Sequence, residues 1–380
     1  MENRYLLSEK QIVWVQDIYE KIKEKIDIEC ERMGEKIPYV PVNGRYPDMG
    51  ETSLSWWTNG FWGGIMWQMY CATGEEKYKE KALMIEDKIN PVLKGFVGVD
   101  HDAGFMWLPT AVANYRLTNS KKAKERGLHA ANLLSGRYNP VGKFIRAWNQ
   151  EGQEGVFIID CLMNTPLLYW ASKETKDPRF AQIAKNHTDT ALSYIVREDG
   201  SCNHIVQLNP TTGEFVDSPA GQGYEKGSSW SRGQAWAIYG FSLNYRYTND
   251  NTYLDVAKKI AHYFIANVAI HNYLPLLDFR APKEPVYYDS TAGACAACGL
   301  LELSKHVGKY EKQLYIQSAI SILQSMEKSF CNWNIEEDGI LGYGSARYNR
   351  ADDREVPIIY GDYFFIEAIL ELLGKGFLIW

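Results

Sequence analysis

The sequence predicts an all-α fold, an (α/α)6 barrel of six helical hairpins. Three observations carry that expectation. About twelve segments show helical periodicity, and alternating strand patterns are almost absent. The segments alternate in character: the odd ones are amphipathic and charged, while the even ones are apolar nearly all round and rich in Gly, Ala and aromatics. Helices of the second kind must be buried on every side. Polar and aromatic clusters open the even segments. A repeat of half-buried and buried helices closes when six inner helices are wrapped by six outer ones. No linker rich in Pro, Ser or Gly separates two halves, so one domain over 1–380 is expected rather than two.

In chain order, the outer stripes are Gln11 to Arg32, Glu75 to Lys88, Ser120 to Leu134, Asp177 to Arg197, Asp250 to Ala266 and Tyr310 to Lys328. Each has an apolar stripe and a solvated face. The inner segments include Gly60 to Trp67, Gly104 to Ala111, Ile158 to Trp170, Gly233 to Gly240, Ala292 to Leu303 and Tyr363 to Leu373. The third, read as an apolar helix over 156–173, carries a single carboxylate, Asp160. The longest connection runs from Glu198 to Ser229 and holds His204, with Asp217 to Gly223 read as a flexible turn. In a closed ring all inner N-termini point to one end, so the clusters that open them converge on one mouth. Helix dipoles there also favour an anion.

The chain has 380 residues, a net charge of −6 and 46% hydrophobic residues, enough for a large core. Some of its 12 Trp, 25 Tyr and 14 Phe are simply core, but twelve Trp are more than packing needs and suit a cleft for sugars or flat ligands. Scattered Lys and Arg on a mildly acidic chain argue against nucleic acid or an anionic membrane as partner. The first ten residues lack an apolar signal core, and no apolar run is long enough to span a bilayer, so a cytoplasmic protein is expected. Seven widely spaced Cys fit reduced thiols. Cys295-Ala-Ala-Cys298 has no second ligand pair and reads as close helix packing.

Asp160 is flanked by Ile, Cys, Leu, Met and Asn, and nothing within four residues pairs with it. Desolvation should raise its pKa, which suits a general acid. A carboxylate capping its own helix N-terminus or bonding a neighbouring helix is the bland account. Asp102, which opens the preceding inner helix, is the natural second carboxylate, or an N-cap for Ala103-Gly104-Phe105. Asp100-His101-Asp102 lacks the spacing of a metal site, so no metal or other cofactor is expected. Arg232, between Trp230 and Trp236, suits a planar sugar carboxylate, or an ion pair across helices. Trp56 and Trp148 could stack sugar faces, and His204 could donate to a substrate. No nucleophile elbow, Walker loop or strand-linked dinucleotide fingerprint is present.

At these residues the chain resembles the unsaturated glucuronyl hydrolases of glycoside hydrolase family 88. The similarity rests on Trp56-Trp-Thr-Asn-Gly-Phe-Trp-Gly-Gly64, His101-Asp-Ala-Gly-Phe105, Ile158-Ile-Asp-Cys-Leu-Met-Asn164, Arg197-Glu-Asp-Gly-Ser-Cys-Asn-His204, Ser229-Trp-Ser-Arg-Gly-Gln-Ala-Trp236 and Tyr360-Gly-Asp-Tyr-Phe-Phe365. Related unsaturated rhamnogalacturonyl hydrolases usually read Arg-Gly-Asn-Gly-Trp at the arginine, where this chain has Arg232-Gly-Gln-Ala-Trp236. The resemblance implies an (α/α)6 barrel, no metal, and removal of a 4,5-unsaturated uronic acid from the non-reducing end of lyase-generated oligosaccharides. It implies Asp160 as general acid/base and Asp102 as the second essential carboxylate. It places His101 beside the catalytic carboxylate, and Trp56, Trp148, His204, Gln222, Trp230, Arg232 and Trp236 near the substrate. Members acting on sulfated fragments look to use a Ser-x-x-Ser-x-Lys loop. Here that loop is Gly344-Ser-Ala-Arg-Tyr-Asn-Arg350, which points to unsulfated substrates, although Arg347 and Arg350 could still hold an anion. The alternatives are a rhamnogalacturonyl hydrolase on the same barrel and, in a different class, a non-catalytic uronate-binding helical protein. The chain is expected to be a monomer or homodimer.

Overall fold

A computed structural model describes residues 5–95 and 98–380, so the first four residues of the amino-terminal stretch lie outside it. The outer helices are α1 (Glu9–Met33), α3 (Glu76–Ile89), α5 (Lys121–Ser135), α7 (Pro178–Ile195), α9 (Asn251–Ala269) and α11 (Lys309–Phe330). The inner ones are α2 (Phe61–Thr73), α4, α6 (Thr165–Thr175), α8 (Ser231–Thr248), α10 (Ser290–Ser304) and α12 (Ile359–Leu372). Helix α4 is continuous through Ala103–Trp107, Leu108–Val112 and Ala113–Thr118; its middle is a π turn at Pro109, which lacks the N–H of a regular ladder.

Each inner helix packs on the next, and α12 returns to α2, which closes the ring. The outer helices pack on their inner partners, with α1 on α12 completing the last hairpin. Burial follows the sequence patterns. Every residue of α10 is buried, whereas α7 buries a stripe that includes Phe180, Ile183, Ala184, His187, Ala191 and Ile195. Small residues let inner helices approach: a Cβ on Gly299 would lie 2.9 Å from the Tyr239 backbone nitrogen. Cys295 and Cys298 are buried free thiols on the same helix, and the Cys298 thiol meets the Phe364 carbonyl at 3.1 Å.

An aromatic plug fills the ring. The Trp380 ring lies 5.8 Å from Phe105 and stacks on Phe364 at 5.8 Å, and its Nε1–H donates to the buried Glu367 carboxylate at 3.0 Å. Trp236 packs into the same plug, 5.2 Å from Phe105 and 5.5 Å from Phe364.

Two expectations fail locally. Val156–Ile158 is a strand, β1, followed by a 3-10 turn over Ile159–Met163 and only then by α6. The connection expected to be a loop supplies its partner, β2 (Ile205–Leu208), which pairs in turn with β3 (Phe215–Asp217), in an antiparallel sheet. The run Val-Phe-Ile-Ile is β-branched and aromatic. Its apolar continuity was compatible with either element, and the remote partner strand decided it.

Candidate active site

The register of that sheet builds the centre of the site. Ile158 pairs with Ile205, and the Ile159 N–H donates to the His204 carbonyl at 3.1 Å. The next residue, Asp160, therefore comes to lie beside the His204 ring, with Oδ2 at 3.5 Å from Nε2. The Gln222 N–H donates to His204 Nδ1 at 2.9 Å, which leaves the ring proton on Nε2, facing the carboxylate. Asp102 enters from the start of α4. Its side chain caps nothing. Instead Asn164 Nδ2 donates to Asp102 Oδ1 and to the Asp160 carbonyl, each at 3.3 Å, while Asn164 Oδ1 accepts from Phe105 N–H at 2.8 Å. Gly104 makes room for this amide, since a Cβ there would lie 2.5 Å from the Asn164 Cα. Neither bland account of the two carboxylates, as helix caps, survives.

The electrostatics divide the pair. Burial pushes Asp102 well above the ordinary aspartate value, and the negative charges of Asp100 and Asp160 add to the shift. Burial would also raise Asp160, but the His204 Nε2–H that faces its carboxylate, with the positive field of Arg232 added, outweighs burial and leaves Asp160 low. Burial drives His101 down to about 3, so near neutral pH it contributes a dipole and no charge, and His204 is the partner that matters. The raised acid expected at Asp160 is thus found at Asp102. A search along the sequence could not see a histidine delivered by another strand.

These residues face a cavity of about 510 Å³. Trp56, Asp102, Trp148, Asp160, His204, Gln222 and Arg232 line it, and the sequence singled out all seven. Three other candidates lie behind its wall. His101 is fully buried, with Nε2 at 3.5 Å from Asp102 Oδ1. Trp230 packs under His204 at 4.4 Å and under the Arg232 guanidinium at 4.5 Å. Trp236 belongs to the aromatic plug. Lining residues that the sequence did not single out include Gln150 and Gly221, and Asp100 was visible only as part of the Asp-His-Asp cluster. Arg347, named from the sequence as able to hold an anion, also lines the cavity, whereas Gly221 carried no local signal.

Arg232 takes the role of an ion pair across helices. Its Nη1 meets Asp289 Oδ2 at 2.6 Å, and it also donates to the carbonyls of Ser345 and Ala346. Asp289 is the N-cap of α10, so one guanidinium ties two inner helices to the 344–348 segment. Its Nη2 also reaches Gln222 Oε1 at 3.3 Å, at the cavity wall.

Comparison with known proteins agrees with this arrangement. The glycosyl hydrolase family 88 profile matches residues 30–244. An unsaturated glucuronyl hydrolase (UGL) from Bacillus sp. strain GL1 is 34% identical over 90% of this chain and 92% of its own. An unsaturated chondroitin disaccharide hydrolase from Streptococcus agalactiae is 32% identical over 96% of this chain and 93% of its own. A UGL structure with dGlcA-Glc-Rha-Glc superposes with a TM-score of 0.88 at 33% identity, covering 94% of this chain and 96% of that one. With the family profile spanning more than half of the chain and relatives matched nearly end to end, the chain belongs to glycosyl hydrolase family 88.

Proposed function

We propose that this enzyme is an unsaturated glucuronyl hydrolase that removes a 4,5-unsaturated uronic acid from the non-reducing end of an oligosaccharide, with Asp160 as general acid/base. The observation that carries the reading is the divided carboxylate pair at the base of an aromatic-walled cavity. Trp57, which lines the cavity, packs on Phe105 of the plug at 5.3 Å, so the plug backs the cavity from below, which suits a chain end entering head first. The likeness to relatives named for glucuronyl and chondroitin disaccharide hydrolysis supplies the substrate class.

The chemistry follows from the vinyl ether. A proton goes to C4 and water adds at C5, giving a hemiketal. Its opening leaves a ketone at C5 and a hemiacetal at C1, which expels the leaving sugar as its alcohol and becomes an aldehyde. The water attacks a ring carbon other than the anomeric one, so the carboxylate-separation rule of ordinary glycosidases does not apply. In the free enzyme a proton on the pair favours Asp102, whose carboxyl burial raises, over Asp160, which His204 holds low. A bound uronate adds negative charge beside Asp160 and raises it, so the proton shifts toward the carboxyl that must deliver it. Asp160 then takes a proton from the incoming water, while Asn164 keeps Asp102 in register and His204 holds the Asp160 rotamer.

Both loop arginines are occupied by acids of their own segment. Arg347 Nε lies 3.6 Å from Asp353 and Arg350 Nη2 2.7 Å from Asp352. That supports a preference for unsulfated substrates; higher turnover of a matched sulfated disaccharide would overturn it.

The test follows the ultraviolet absorbance of the C4=C5 bond with unsaturated chondroitin and hyaluronan disaccharides. Wild type should bleach it, and Asp160→Asn should be slower by about 10²–10⁴-fold. Equal rates would remove Asp160 from its role. No bleaching by wild type on these or on rhamnogalacturonan-derived disaccharides would sink the hydrolase reading.

A further inference from the structure

A second cavity of about 510 Å³ opens beside the catalytic one. Phe279, Tyr287 and Tyr348 give it flat apolar walls, and Asn267 and Lys283 give it polar groups. Its one acid, Asp278, is already engaged by the backbone N–H groups of Tyr224 at 3.1 Å, Ser229 at 2.9 Å and Arg280 at 2.9 Å.

The two cavities share a partition. Gln222 and Arg347 face the catalytic side and Tyr348 faces the other. The Tyr348 N–H donates to the Gln222 carbonyl at 2.9 Å. The partition is braced on both sides: Arg232 holds it from within the barrel, and Arg354 donates to the Tyr348 carbonyl at 3.1 Å while stacking over Tyr287 at 3.8 Å. Tyr287 and Tyr348 are thereby fixed, with ring centres 5.4 Å apart.

We propose that this second cavity is a subsite for the reducing-end sugars of substrates longer than a disaccharide. The inference rests on the hydrolase reading above. Because the aromatic plug seals the catalytic cavity below, a longer chain must leave over the mouth, and the braced partition is one edge of that mouth. Beyond it the chain meets fixed rings on which the apolar faces of sugars stack, with Asn267 for hydroxyls and Lys283 for a further carboxylate.

The experiment compares an unsaturated tetrasaccharide with the matching disaccharide. In wild type the tetrasaccharide should have the higher kcat/KM by about fivefold, and Tyr287→Ala and Lys283→Glu should bring the ratio to about one. Equal kcat/KM for both lengths in wild type overturns the subsite, as does an advantage that survives in both variants. A saturated trisaccharide, titrated by calorimetry, separates this failure from that of the hydrolase reading. Binding by wild type that Lys283→Glu abolishes supports the subsite whatever the turnover, and no binding by wild type overturns it.

Discussion

Gly221 has a φ of +65°, and a Cβ there would lie 2.0 Å from His204 Nδ1. The close approach lets the next N–H reach the imidazole and fix its tautomer. Gly221→Ala should therefore displace His204 and lower kcat on the order of 10²-fold, with a lower Tm from the strained left-handed backbone. A variant with wild-type kcat would show that His204 is not held this way. On the proposed roles, the divided pair sets the pH dependence of kcat/KM, which reports the free enzyme. The acid limb is the protonation of Asp160 and should fall below the ordinary aspartate range. The alkaline limb is loss of the Asp102 proton and should lie well above it. An acid limb at or above the ordinary value would refute the assignment. The sequence announced both carboxylates but attached the raised pKa to the wrong one, because the deciding neighbours, His204 and Asp100, act through space.

At the level of elements, α1 and α12 meet over a buried acidic cluster. Glu29 accepts from the Gly339 N–H at 2.8 Å, and burial, with Asp362 adding to it, pushes its carboxyl up to about 8. Asp362 accepts from the N–H groups of Ile340 and Leu341, and burial lifts it to about 6. Both hold protons more tightly folded than unfolded. Their contribution is complete below the unfolded values near about 4 and is lost as pH rises through the folded values. Tm should thus fall between about pH 5 and about pH 8, and Glu29→Gln should flatten the upper part of that window by on the order of a few kcal/mol. An unchanged slope in the variant would assign the effect elsewhere. Helix periodicity was legible at this scale because each helix repeats its own pattern. The strand Val156–Ile158 was not, since its identity depends on β2, which lies beyond all of α6 and α7.

For the whole molecule, ring closure was readable from alternation alone: an apolar helix can be satisfied only inside others. What fills the ring was not readable. The sequence gives no sign that Trp380 inserts between Phe105 and Phe364. Trp380→Ala should cost about 3–5 kcal/mol in denaturant unfolding and loosen the cavity floor. A loss under about 1 kcal/mol would mean the ring does not depend on its plug. Arg232 has a consequence of another kind. It anchors the partition by the backbone carbonyls of Ser345 and Ala346, so the identity of the cavity-facing side chain at 347 is not part of the anchor. That position can be exchanged while the loop keeps its shape and the carboxylates their places. Substrate preference in this barrel is therefore free to drift by single substitutions at the mouth, with the reaction inherited unchanged beneath it.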